Sequence, residues 1–340
     1  MSRPGELPPL TIREYQPGDE HALLSTFNRV FSQIDPTFTP RTLAAWRWQF
    51  EGNPSGARIF LALTEDGQVV SQYAGIGQRV LLEGQRASFS QSVDSMTDPA
   101  WRLVLREPGF FVLTATPYGE RFGGPGPGQD VFMWGLPVWS AWRVGKAYLD
   151  YEVLRTQLKL VAPLERLRLP AAAGVEVEEI SAFPAGIEAV GERRARDAGA
   201  MAVRDKAQLD WRFKSRPDKG YAVALARRSG AAVGYAVFRR DLFDRVDGEG
   251  LVCDFVAPPD DQAVAGALLS WLAERARDEG CARLVAVFPD TAPEWRSFQL
   301  AGFRAAGSTY FIVGRSWLKR TKLRWLFENW FYTLGDTDLV

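Results

Sequence analysis

Histidine is almost missing from this chain: His21 is the only one in 340 residues. Ser-His-Asp triads, histidine general bases and His-rich metal sites are excluded with it. Cysteine is nearly as scarce. Cys253 and Cys281 make neither a disulfide framework nor a cysteine zinc cluster, and two thiols fit a reducing cytoplasm. Net charge is absent too. Lys+Arg and Asp+Glu number 41 each, so no overall field favours nucleic acid or an anionic membrane. No run of about 18 apolar residues occurs, so no membrane span is predicted. The start Met1-Ser2-Arg3-Pro4-Gly5 lacks the apolar core of a signal peptide. The expectation is a cytoplasmic protein with no metal.

What the chain does have is a pattern written twice. Trp46-Arg47-Trp48-Gln49-Phe50 leads to Pro54, then Leu61-Ala62-Leu63, a turn at Gly67, and Val69-Val70-Ser71-Gln72-Tyr73-Ala74. Trp211-Arg212-Phe213 leads to Pro217, then Val223-Ala224-Leu225-Ala226, a turn at Gly230, and Ala232-Val233-Gly234-Tyr235-Ala236. A repeat of half the chain length means two copies of one domain rather than a solenoid of short units. The two Trp-Arg-aromatic stretches have helical spacing and read as core.

Periodicity gives the same element order in each half. In the first it is a strand at 10–15, helices over 17–31 and 39–50, and strands at 59–64, 69–82 and 87–97. A helix follows over 108–122, kinked or shortened by Pro117. Then come a strand at 130–135, a helix at 139–147 and a strand at 151–160. The expected division is a first domain at 8–162, a second at 174–314, and an aromatic tail at 315–340 that packs back on the domains. The fold class is α/β with a mixed sheet, an antiparallel front and a later crossover helix.

This order resembles the GNAT (GCN5-related) N-acetyltransferase superfamily in its tandem form. Motifs in the first half carry the likeness. Arg106-Glu107-Pro108-Gly109-Phe110-Phe111 is similar to the loop that leads from the fourth strand into a helix and binds the CoA pyrophosphate. Backbone N–H groups at a helix start, with the positive end of its dipole, accept phosphate, and Gly109 allows close approach. Asp98-Pro99-Ala100-Trp101-Arg102 resembles the lead-in, which makes Arg102 a rival to Arg106 for the phosphate. Met96 and Thr97 end the fourth strand, whose N–H groups would face the acyl donor. Gly135-Leu136-Pro137, the helix after it and Leu149-Asp150-Tyr151 look like a second family motif. The resemblance implies acetyl-CoA or another short acyl-CoA as donor, an amine acceptor (a small molecule, amino sugar or peptide), and direct attack. It offers Tyr148 as the thiolate's acid, with a core aromatic as the alternative, and Asp94 as a base. The second half keeps Phe298-Gln299-Leu300-Ala301-Gly302-Phe303 but has no phosphate loop.

The tail ends in Asp336, Asp338 and Val340 behind an aromatic run. In some tandem GNAT enzymes a terminal carboxylate reaches the first domain, so these three are expected there, binding or deprotonating the amine. A solvated acidic end is the alternative. Two further readings of the chain are a non-catalytic GNAT-like binding protein and a Fem-like aminoacyl or peptidyl transferase.

Overall fold

The computed structural model describes residues 9–102, 108–218, 220–241, 243–244, 246–319 and 322–340. They form two compact units. The first comprises Met1–Gln78, Ser88–Val153 and Val313–Arg320; the second comprises Arg79–Ala87, Leu154–Ile312 and Thr321–Val340.

The first unit begins with β1 (Leu10–Glu14), α1 (Glu20–Ile34), α2 (Leu43–Phe50), β2 (Ala57–Thr64), β3 (Val69–Leu82) and β4 (Gln85–Thr97). Next come α3 (Phe110–Phe122), β5 (Phe132–Gly135), α4 (Trp139–Tyr148) and β6 (Glu152–Pro163). Its sheet runs β1-β2-β3-β4-β5. Leu23, Phe27 and Val30 recur at helical spacing on α1 and pack with Trp46, Phe50, Ile59 and Leu61. Each such side chain contributes about 1.5–3 kcal/mol on full burial. A separate core beneath α3 gathers Phe60, Tyr73, Val112, Tyr118 and Met133. Thr42 caps α2 by accepting the N–H of Ala45 at 3.1 Å. Pro117 neither ends α3 nor shortens it. Val112, Ala115 and Tyr118, on either side of it, are buried, and that packing outweighs one missing backbone donor.

The second unit repeats the order. It holds β7 (Glu176–Glu179), α5 (Glu188–Asp197), β8 (Ala200–Ala202), α6 (Lys206–Phe213), β9 (Ala222–Arg228), β10 (Ala231–Arg240) and β11 (Glu249–Val256). It continues through α7 (Gln262–Asp278), β12 (Arg283–Ala286), α8 (Pro293–Leu300) and β13 (Arg304–Ser316), and the tail forms α9 (Leu323–Asn329) and β14 (Trp330–Phe331). The main sheet order is β13-β6-β12-β11-β10-β9-β7. A side ribbon joins β14, β8 and the tip of β3.

Two strands change places relative to the expected boundaries. From Leu154 onward β6 belongs to the second unit, where Leu160–Pro163 pairs antiparallel with β12. The end of β13 belongs to the first, where Val313–Ser316 pairs antiparallel with β5. Alternating hydrophobicity marks a strand and its faces but not which sheet edge it joins, so the expected divisions at 162 and 314 miss this exchange. The tail divides as well. Trp317 packs in the first unit's core beneath α3, while 322–340 lies in the second unit.

Candidate active site

Strands β4 and β5 run parallel from Phe89 opposite Phe132 to Ser92 opposite Gly135. There β5 stops, with Pro137 following two residues later, while β4 continues to Thr97. The two strands therefore part at Ser92. Just beyond, the alternation of β4 slips. Val93 and Met96 lie three apart yet share the core beneath α1 and α2. Strict alternation forbids that. Asp94 makes it possible by adopting φ of 52°, an extra residue accommodated as a bulge.

The bulge is held on every side. Gln72 donates through Nε2 to the Asp94 carbonyl at 2.9 Å. Gln49 Nε2 donates to Asp94 Oδ2 at 3.0 Å. Arg41 donates from both Nη atoms to the two carboxylate oxygens, the longer bond being 3.2 Å. Arg41 is itself fixed. Its guanidinium lies 4.2 Å over the Phe27 ring, and its backbone exchanges two hydrogen bonds with the Asn28 amide, at 2.8 and 3.0 Å. Asp94, expected as a base, is thus the partner of an arginine.

Past the bulge, Met96 is buried, and its carbonyl accepts from Ser71 Oγ at 2.9 Å. Thr97 Oγ1 lies 3.1 Å from the same Ser71 hydroxyl. Asp98 caps the turn Pro99–Trp101 through the N–H of Ala100 at 3.0 Å. Arg29, donating at 2.7 Å, holds the Asp98 carboxyl below its ordinary range. Arg102 is exposed and donates from Nε to the Thr97 carbonyl at 3.1 Å. Arg106 and Glu107, expected at the phosphate, lie outside the described residues. Pro108 is exposed, and Gly109 starts α3 with no side chain capping it. A Cβ added at Gly109 would meet nothing within 4 Å. Phe110 is buried against Trp101, and Phe111 lies edge-on to Tyr73 at 5.6 Å. Those two rings serve the core, and the backbone N–H groups of this helix start are available to an anion.

Sequence reasoning missed the side chains at the parting point itself. Tyr73 and Ser92 share a 2.8 Å hydrogen bond between hydroxyls, and the Tyr73 hydroxyl is also bonded to that of Tyr151. Burial pushes both phenols above their ordinary value, so both keep their protons at neutral pH. Tyr148, the expected acid, is half-exposed at the end of α4. One signal in the sequence points to Tyr73: it recurs as Tyr235 at the matching place in the second copy. Deeper along the same face of β4, Ser88 donates to Asp130 at 2.6 Å, and Arg58 pairs with Asp130 at 2.7 Å. Burial raises the Asp130 carboxyl despite that arginine.

The second unit repeats this framework in the same register. Strands β11 and β12 pair in parallel as far as Val252 opposite Ala286, and β11 continues to Val256. Asp254 follows Val252 as Asp94 follows Ser92. Arg204 precedes the α6 cap Asp205 as Arg41 precedes Thr42. Arg204 Nε donates to Asp254 Oδ2 at 2.9 Å, and the Tyr235 hydroxyl donates to the same oxygen at 2.9 Å. The helix start differs. Asp261 caps α7 through the N–H of Val264 at 3.2 Å and pairs with Arg228 at 2.6 Å. A carboxylate stands where the first copy has Gly109.

The three tail residues expected at the first unit's site lie in the second unit. Asp336 is buried in the second, accepting from Arg204 Nη1 and Nη2 at 2.7 and 2.6 Å. The Val340 oxygen accepts from Arg212 and Arg216 at 2.5 and 2.6 Å. Asp338 is exposed. The physical reason is the guanidinium of Arg204, a partner 132 residues from Asp336 in sequence and invisible to spacing rules. His21 is exposed on α1. Among the described residues no group of three His, Cys, Asp or Glu could hold a metal, and no helix is long and apolar enough to cross a membrane.

Solved structures of the same architecture exist. A GCN5-related N-acetyltransferase from Anabaena variabilis superposes with a TM-score of 0.66 at 11% identity, over 91% of this chain and 73% of that one. A probable N-acyltransferase from Enterococcus faecalis V583 gives 0.64 at 15%, with the same coverage. A tandem GNAT protein from the clavulanic acid biosynthesis pathway gives 0.54 at 10%, over 91% of this chain and 99% of that one. No family model and no curated protein matches the sequence. The chain has the fold of the GCN5-related N-acetyltransferases, in the tandem arrangement.

Proposed function

We propose that this protein is an acyl-CoA-dependent N-acyltransferase, with its donor site in the first unit. One observation carries the reading: β4 and β5 part at Ser92 and Gly135, directly before the Asp94 bulge and the uncapped start of α3. Parting strands turn backbone N–H and C=O groups toward the gap, where an extended thioester arm can bond to them. The open space at Gly109 and the exposed Arg102 fit a pyrophosphate at the helix start. The donor, when bound, supplies an activated carbonyl.

The chain's own groups do the rest. Met96 and Thr97 carry the main chain along the gap. Tyr73 and Tyr151 keep their protons and stand at the last paired residue, placed to return one to a departing thiolate. The acceptor is an amine. The second unit, with Asp261 at its helix start, takes no donor.

Gly109→Glu is the direct test, because its side chain meets open space and the fold is untouched. Acetyl-CoA binding, measured by calorimetry, is expected for the native chain and lost in the variant. Equal binding by both would move the donor elsewhere, and no binding by either would leave a GNAT-like binding protein.

A further inference from the structure

The chain carries 41 charges of each sign, yet one surface of the second unit is out of balance. Arg166 and Arg168 follow β6, and Arg296 and Arg304 lie on either side of the end of α8. All four are exposed. Among the described residues none of these four side chains has an ion pair or a hydrogen bond. By contrast, Arg227 of the same unit pairs with Glu178 at 2.6 Å, Arg228 with Asp261 at 2.6 Å, and Arg275 with Glu279 at 2.8 Å.

Local structure brings the four together. Arg168 donates its backbone N–H to the Ala301 carbonyl at 2.9 Å. Gly302, with φ of 103°, lets the Arg166 carbonyl pass where a Cβ would lie 2.6 Å from it. The 166–168 segment is thus pressed against the turn that ends α8. Arg166 and Arg168 are exposed on either side of a half-buried Leu167, the period of an extended chain. Arg296 lies one turn before Leu300 on the same face of α8, and Arg304 opens β13 just past the turn. Glu165 is the single carboxylate in 164–170, and 295–304 has none.

Two leucines stand among these cations. Leu300 is 67% exposed and Leu169 is 37% exposed. The aromatic side chains of the same stretch, Trp295, Phe298 and Phe303, are buried. That contrast selects among anionic partners. Nucleic-acid surfaces use exposed rings on which bases stack, and this stretch of the surface offers leucines instead. A bilayer takes leucine side chains at the boundary of headgroups and acyl chains while arginines meet its phosphates. The exposed face of a helix is convex, which suits a planar, deformable partner.

We infer that this face of the second unit docks on an anionic lipid surface, with Leu300 and Leu169 at the acyl boundary and the four arginines on headgroup phosphates. The contact is local and peripheral, since the whole chain has no net field to draw it there. It stands apart from the donor site and does not depend on it.

The test floats the full chain with vesicles of phosphatidylcholine alone and of phosphatidylcholine mixed with phosphatidylserine, at low and high salt. Binding to the mixed vesicles is expected to be tighter on the order of 100-fold at low salt and to weaken as salt is added. Arg296→Gln combined with Arg304→Gln should weaken it about 20-fold, at roughly fivefold per arginine. Arg166→Gln combined with Arg168→Gln, on a separate segment, should do the same. Leu300→Ser should weaken binding while leaving its salt dependence in place, because it removes apolar contact and no charge. All these positions are exposed, so each variant is expected to keep the native circular dichroism spectrum. Equal binding to both kinds of vesicle, binding to neither, or undiminished binding in both arginine variants overturns the inference. An RNA oligonucleotide that displaces the vesicles and binds equally well to the Leu300→Ser variant would assign the arginines to nucleic acid, which overturns it too.

Discussion

Arg204 grips Asp336 end-on, one carboxylate oxygen to each Nη, with both side chains 5% exposed. This buried pair anchors the tail in the second unit, and Asp336 also accepts the N–H of Thr333 at 2.9 Å. Removing one partner strands the other in a low dielectric. Asp336→Ala is therefore expected to destabilise the second unit by about 3 kcal/mol, the lower end for a broken buried pair, because Asp254 still faces Arg204. Urea denaturation followed by tryptophan fluorescence checks this. A midpoint equal to the native one would mean that the tail is not anchored by this pair.

Gly145 matters for a different reason. A Cβ there would lie 2.1 Å from the Tyr151 ring. Gly145→Ala must push that ring away, at a cost of about 1–3 kcal/mol, and pull its hydroxyl from Tyr73. A lower melting temperature and a weaker tyrosine signal in near-ultraviolet circular dichroism are expected, with slower transfer where turnover is measured. An unaltered spectrum would place Tyr151 away from this glycine.

Acid should weaken the first unit partly through Glu20. Its carboxylate accepts its own backbone N–H, then that of Gly18, and these hold its pKa at about 2 instead of 4.5. The folded chain keeps the charge where the unfolded chain would be protonated. The contribution is fully present above pH 4.5 and is lost as pH falls toward 2. Glu20→Gln is expected to flatten the stability profile across that window and to leave its neutral limb parallel to the native one. Unchanged curvature in acid would show that the two N–H bonds do not form in solution.

Much of the fold was legible because each helix and strand carries its own period. The copies confirm one another, and the Trp46 and Trp211 helices end in the cores where their spacing put them. Three features were not legible, each for a physical reason. The Asp94 bulge changes parity without changing composition. The ribbon strand β8 is three residues long, too short for alternation to show. The partners of Asp336 and Val340 are set by packing over long sequence distances, and charge alone could not name them. At the site, the position of Gly109 at a helix start was readable. The tyrosine pair was not, because Tyr73 and Tyr151 come together only once β3 and the end of α4 are placed.

The end of β13 carries a consequence for how the chain matures. Strand β5 gains its antiparallel neighbour only from Val313–Ser316, and the core beneath α3 gains Trp317 from the same stretch. On a ribosome the first unit therefore waits, with one sheet edge open, until residue 316 has emerged. An open edge is a surface on which nascent chains pair wrongly. Slow passage through that interval is where a chaperone would matter most.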